Sequence, residues 1–202
     1  MIQKNKSYNI LQNFVDSNNS DTTDLYLDEN GKEISEQRAL DVSSTLSQCQ
    51  NLISLELFFY QGNIGDQGVI YLATALSKIT QIKKLEFSLL QNKFGDIGAL
   101  EIASGLSQCL KISSLSIGIG SNNITHQGYL KLDQCLSGLP NLFTLYCYLR
   151  NGEKLLKSQE ILNCKNIKVL TLSLECKKKE VVQHKLKALK IKRLVKFRII
   201  LC

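Results

Sequence analysis

From residue 52 onward the apolar positions fall in one recurring frame. Leu52-x-x-Leu55-x-Leu57 returns as Ile82-x-x-Leu85-x-Phe87, as Ile112-x-x-Leu115-x-Ile117 and as Leu142-x-x-Leu145-x-Cys147, each after 30 residues. Thirty residues before Leu52 stands Thr22, with Leu25-x-Leu27 following in register. Further on, Ile167-x-x-Leu170-x-Leu172 comes after 25 residues and Ile191-x-x-Leu194 after another 24. Alternation within the frame predicts a strand, with Leu55, Leu57 and Phe59 on one face and Leu85, Phe87 and Leu89 in the same places one unit later. Beyond the strand, Leu72, Ile102 and Leu132 recur, as do Leu76, Leu106 and Leu136 four residues later, which is one face of a helix. Each unit is therefore strand, turn, helix and return to a parallel strand.

The stretch between strand and helix repeats too. Asn63-Ile64-Gly65-Asp66-Gln67-Gly68 corresponds to Lys93-Phe94-Gly95-Asp96-Ile97-Gly98 and to Asn123-Ile124-Thr125-His126-Gln127-Gly128. Asp66 and Asp96 fall where a helix begins and are expected to cap it. Gly68, Gly98 and Gly128 are expected to keep the helix start close to the strand layer. Asn92 and Asn122 follow the third core residue by three positions, where a buried amide can bond the backbone as the strand turns. Gly62, Gly152 and Lys177 break that asparagine column. In the last unit Val195, Phe197, Ile199 and Leu201 form the apolar set, with Lys196 and Arg198 opposite, so a one-residue register change is expected. No unit can bury its apolar face alone, so the units must stack.

This pattern resembles the ribonuclease-inhibitor-like leucine-rich repeats over residues 22 to about 176, and more loosely to 202. The resemblance implies an α/β horseshoe solenoid of six to seven repeats, with parallel strands on the concave face and helices on the convex face. It says little of activity, since the family includes inhibitors, GTPase activators, innate sensors and substrate receptors. The expected organisation is a polar N-terminal segment, 1–21, followed by the repeat domain, 22–202.

Charge sharpens this division. Residues 1–150 hold 11 Lys and Arg against 14 Asp and Glu, whereas residues 151–202 hold 14 against 4, although the whole chain is +7. The basic character belongs to the last quarter, with Lys177, Lys178, Lys179, Lys185 and Lys187 as a candidate patch for an acidic partner, nucleic acid or an anionic surface. No apolar run is long enough for a signal peptide or a transmembrane helix. Seven cysteines without a CxxC pair fit reduced thiols and a cytoplasmic location.

Little else in the sequence carries chemistry. Cys49, Cys109 and Cys164 each precede a repeat start by three residues, which makes them core fillers rather than metal ligands. Ile117-Gly118-Ile119-Gly120 imitates the opening of a dinucleotide fingerprint, but Asn123 stands where its third glycine belongs. His126 and His184 have no partner in phase, and kinase and Walker motifs are absent from the sequence. The chain is expected to be no enzyme and to take no cofactor or metal.

The informative residues are those alternating with the core set, which must line the opposite face of the sheet. Phe58, Tyr60, Tyr146 and Tyr148 are large aromatics there, flanked by Glu56, Glu86 and Arg150, with small residues between. Exposed aromatics at ordered positions are enriched in binding sites. The expected function is a non-catalytic module that binds a protein partner on this face. The alternatives are a regulatory or docking part of a larger signalling protein such as a kinase, or a binder of acidic partners or nucleic acid through the basic segment.

Overall fold

The structure, a computed structural model, describes residues 5–8, 11–149, 166–174 and 196–201. Its strands are β1 (Asn5–Tyr8), β2 (Asp24–Asp28), β3 (Ser54–Phe58), β4 (Lys84–Ser88), β5 (Ser114–Gly118), β6 (Thr144–Leu149), β7 (Val169–Leu174) and β8 (Lys196–Leu201). The helices are α1 (Leu11–Val15), α2 (Glu36–Leu46), α3 (Asp66–Lys78), α4 (Asp96–Ser107) and α5 (His126–Gly138). The eight strands form one sheet in chain order, and every neighbouring pair is parallel. Parallel neighbours need a crossover, and each of the first five crossovers carries one helix. The result is a stack of strand–helix units, each touching its neighbours in sequence, as in a solenoid.

The repeat frame becomes the register. Leu25, Leu55, Leu85, Leu115, Leu145 and Leu170 lie side by side in one column, and Leu27, Leu57, Phe87, Ile117, Cys147 and Leu172 in the next. All are buried, in one cluster with Leu72, Leu76, Ile102, Leu106, Leu132 and Leu136 from the helices. In β8 the expected parity holds, because Phe197 pairs with Leu170 and Ile199 with Leu172. The slip is three residues, however, not one: the frame would have set Leu194 beside Leu170.

The polar N-terminal segment also joins the sheet, through β1 paired with β2. Its polarity has a local use. Asn19 is buried, donates to the Phe14 carbonyl at 3.0 Å and accepts from the Tyr8 hydroxyl at 3.0 Å. The Tyr8 ring meets Phe14 edge-on, with centroids 5.5 Å apart. A polar network over a buried phenylalanine is the kind of end closure that a stack requires.

Between units the polar groups are shared. Asn92 donates to the Phe59 carbonyl at 2.7 Å and accepts from the Ile64 N–H at 2.9 Å. Asn122 donates to the Leu89 carbonyl at 2.8 Å and to the Ile119 carbonyl at 2.9 Å. The asparagine column thus ties each turn to the end of the preceding strand.

The aspartates act differently from expectation. Each opens its own helix, but its carboxylate caps the following one. Asp66 Oδ1 accepts from the Gly95 and Gly98 N–H groups, both at 2.8 Å, at the start of α4. Asp96 Oδ1 accepts from Thr125 N–H at 2.7 Å and Gly128 N–H at 3.2 Å, and its Oδ2 from the Thr125 hydroxyl at 2.5 Å. The first-turn glycines now acquire a cause: a Cβ on Gly128 would lie 2.6 Å from Asp96 Oδ1, and one on Gly98 would lie 3.0 Å from Asp66 Oδ1. The same Cβ would lie 2.9 Å from Phe94 at Gly98 and 2.7 Å from Ile124 at Gly128, and at Gly68 2.7 Å from Ile64 with no carboxylate nearby, so packing against the turn excludes a side chain at all three and the neighbour's carboxylate adds to it at two.

Two outcomes follow. Asp96→Ala leaves two backbone N–H groups of the next unit without their acceptor and should cost about 1–3 kcal/mol in urea unfolding, while Asp96→Asn, which still accepts, should cost less. Equal stability of the alanine variant and the parent would show that the shared cap carries no weight. The second concerns the thiols. Cys49 and Cys109 are pushed up to about 11 and Cys135 to about 12, in each case chiefly by burial, and Cys147 is raised further by burial and then by Asp133. Thiolate is the reactive form. Iodoacetamide at pH 8 should therefore leave these four unlabelled in the native chain and label them after unfolding, as read by peptide mass spectrometry.

Candidate functional site on the open sheet face

Burial of alternate strand residues under the helices leaves the other set on the opposite face. Three rows cross it from β2 to β6: Asp24, Ser54, Lys84, Ser114 and Thr144; Tyr26, Glu56, Glu86, Ser116 and Tyr146; Asp28, Phe58, Ser88, Gly118 and Tyr148. Phe58, Tyr60, Tyr146, Glu56 and Glu86 are half-buried, and Tyr148 is 37% exposed. The aromatics thus occupy the expected face but are less open than their phase alone implies. For Phe58 the cause is Tyr26, whose ring lies 5.5 Å away at 48°. The Tyr26 hydroxyl in turn donates to Asp28 Oδ2 at 3.1 Å.

The middle row carries an electrostatic conflict. Glu56 and Glu86 stand directly opposite on β3 and β4. Like charges in that relation destabilise a sheet. Lys84 forms an ion pair with Glu56. The Glu86 carboxyl is pushed above its ordinary value, first by burial and then by Glu56, while Lys84 and a hydrogen bond with Ser116 oppose the shift.

Among the described residues, depressions break this face in at least two places. One, of about 160 Å³, is lined by Lys84, Leu85 and Glu86 on one side and by Tyr146 and Tyr148 on the other, with Ser114 and Ser116 between. The second, of about 320 Å³, lies toward β1 and includes Lys6, Asp24, Tyr26, Ser54, Glu56 and Lys84. The structure therefore brings Glu86 together with Tyr146 and Tyr148, and Glu56 with Lys84. Phe58 joins Tyr26 instead, and Tyr60 lines neither depression. The Tyr60 N–H donates to Asn30 Oδ1 at 2.7 Å. Arg150 and the basic residues Lys177, Lys178, Lys179, Lys185 and Lys187 lie outside the described residues.

Tyr26 and Lys84 also stand on this face, one beside Phe58 and the other beside Glu56. Sequence reasoning missed Glu29 altogether. That carboxylate is fully buried, 3.3 Å from Lys32 Nζ and 3.9 Å from an Arg38 nitrogen. The signal was present: Glu29 occupies the phase of Phe59 and Leu89, and Lys32 that of Gly62 and Asn92, so two opposite charges replace two recurring positions three residues apart. His126 is exposed at the start of α5. Among the described residues, no three His, Cys, Asp or Glu side chains converge as a metal site would require, and no helix is long and apolar enough to cross a membrane.

No protein-family model matches the chain, and a search of curated proteins finds no significant match.

The Glu86 shift has a definite sign. A carboxyl whose pKa is higher folded than unfolded binds its proton more tightly in the folded state. Its ionisation therefore opposes folding above the folded value, and the penalty disappears below the unfolded one, about 4.3. Glu86→Gln keeps an acceptor for Ser116 and removes the charge facing Glu56. The variant should melt above the parent at pH 7, and the difference should close as the pH falls to about 4. A variant that melts lower at pH 7 would show that the Glu86 charge is compensated.

Proposed function

We propose that this protein is a non-catalytic interaction module of the leucine-rich-repeat type, ribonuclease-inhibitor-like, with its sheet on the concave side and a protein partner bound across it. The observation that carries this reading is the asymmetry of the sheet. One face is sealed under helices, while the other displays half-buried aromatics and closely spaced carboxylates on rigid strands. Phe58, Tyr60, Tyr146 and Tyr148 supply apolar contact area, and Glu56 and Glu86 in the middle row supply polar selectivity, with Arg150 as a further candidate from the sequence. The free thiols of Cys49, Cys109, Cys135 and Cys147 suit a reducing compartment such as the cytoplasm.

A second reading rests on charge alone: residues 151–202, with 14 Lys and Arg against 4 Asp and Glu, would bind nucleic acid or another polyanion. Salt separates the two, because phosphate binding collapses steeply with ionic strength and aromatic contact does not.

The deciding experiment is capture of partners from cell extract by the parent chain and by a Phe58→Ala/Tyr146→Ala variant of unchanged circular dichroism. The variant should lose a partner's retention by at least about tenfold, the ordinary size of removing two buried interface aromatics. The parent should keep that partner in 0.5 M salt, roughly, where screening is nearly complete at short range. Equal capture by both chains would sink the concave-face assignment.

A further inference from the structure

We propose that the trough between Glu86 and Tyr146 is a docking site for an arginine side chain carried on an extended, cationic segment of a protein partner. The proposal rests on the reading of the sheet face as a binding surface and adds the chemistry of what that surface takes.

Glu56 and Glu86 are direct lateral neighbours, and Lys84 is paired with Glu56. The open face between β2 and β6 presents Asp24, Asp28, Glu56 and Glu86 against Lys84. A sheet selected for stability alone would place opposite charges or β-branched residues there. A cation seated beside Glu86 removes the repulsion that the isolated chain retains.

Shape then selects among cations. Glu86 on β4 and Tyr146 on β6 flank Ser116 on β5 in one row. Two strand steps separate the walls, roughly 10 Å between backbones. The small hydroxyl side chains of Ser114 and Ser116 keep the floor low, and the resulting cavity is about 160 Å³. The β4 wall carries Glu86 and also Lys84, but Lys84 is paired with Glu56, so the Glu86 carboxylate faces the aromatic wall, an arrangement that suits a planar cation able to hydrogen-bond in its plane and stack on its face. Guanidinium has both properties and is weakly hydrated, whereas ammonium is compact and strongly hydrated. The trough lies on the open sheet face, where a chain laid across the strands would meet the Tyr26–Phe58 pair as an apolar contact.

The test titrates the full chain with capped tetra-arginine peptide, followed by amide chemical shifts, with tetra-lysine and tetra-glutamate peptides as comparators. Shifts should centre on Glu86, Ser116 and Tyr146, and arginine should bind more tightly than lysine. Glu86→Gln should weaken arginine binding about tenfold, the scale of one charge-assisted hydrogen bond. Since that variant is expected to fold more stably than the parent, its loss of affinity would not be unfolding. Tyr146→Phe should retain binding and Tyr146→Ala should lose most of it. Unchanged affinity in Glu86→Gln, or shifts centred on Asp24, Asp28 or the helices, would overturn the proposal. So would shifts at Glu86 that grow with protein concentration in the absence of peptide, which would make a second copy of the chain the occupant. The two readings fail separately. Loss of partner capture in Phe58→Ala/Tyr146→Ala with no peptide shift at Glu86 leaves the binding face standing and removes the arginine site.

Discussion

Everything in this fold depends on polar groups that a unit cannot satisfy by itself. A strand turning into a helix leaves backbone carbonyls without partners, and the helix start leaves N–H groups without acceptors. Asn92 and Asn122 reach back to the strand end of the unit before, and Asp66 and Asp96 reach forward to the helix start of the unit after. The unit of residues 82–111 is thus bonded by these side chains at both ends, through Asn92 and Asp96, while the unit before it, with Gly62, uses only its aspartate and the unit after it, with His126, only its asparagine. A 29- or 31-residue unit would move the carboxylate off its two N–H groups and turn the leucine columns out of register. The constant spacing is therefore a hydrogen-bonding requirement as much as a packing one.

That constraint also decides what the other face can display. Alternation sends every second strand residue away from the helices, and the register sets those residues in rows, so any outward side chain has fixed lateral neighbours. The rows are not filled for stability. Glu56 stands beside Glu86, and the Glu86 carboxyl is raised by burial first and by Glu56 second. Locally unfavourable choices on an otherwise consistent scaffold are characteristic of functional sites. Here the conflict lies next to a trough walled by two tyrosines.

Much of this was legible in the sequence, and the failures have physical causes. The core columns could be read because a 30-residue period and a two-residue alternation both point to them, and Leu55, Leu85 and Leu115 stand where both agree. The face assignment of Phe58, Tyr146 and Tyr148 came from the same alternation. Their exposure did not, because it depends on lateral neighbours: Tyr26 covers part of Phe58, while Ser116 leaves Tyr146 a trough. The Asp66 cap was found at the right residue and credited to the wrong helix, since a sequence shows that a carboxylate is near a helix start but not how close the next helix start comes. Glycine at 98 and 128 serves the close packing expected of it, against Phe94 and Ile124, and also makes room for the neighbour's carboxylate, which the sequence did not reveal. The β8 slip was read with the right parity and the wrong length, because alternation fixes only which face a residue takes.

The position of the trough within the stack bears on how it would bind. Glu86, Ser116 and Tyr146 belong to β4, β5 and β6, which continue the strict 30-residue spacing begun at β2. The Asp66 and Asp96 caps hold α4 and α5 of these same units. The trough walls are therefore fixed by strand ladders on one side and by tied helices behind them, not by loops. A ligand side chain entering such a site orders little of the protein, so most of what the carboxylate and the rings contribute remains as affinity. At the far end of this run His126 takes the phase of Asp66 and Asp96, where a carboxylate would be needed to cap the next unit. The next strand, β6, still follows at 30 residues, and only the frame after it comes after 25. The leucine columns therefore hold the register one unit beyond the last carboxylate.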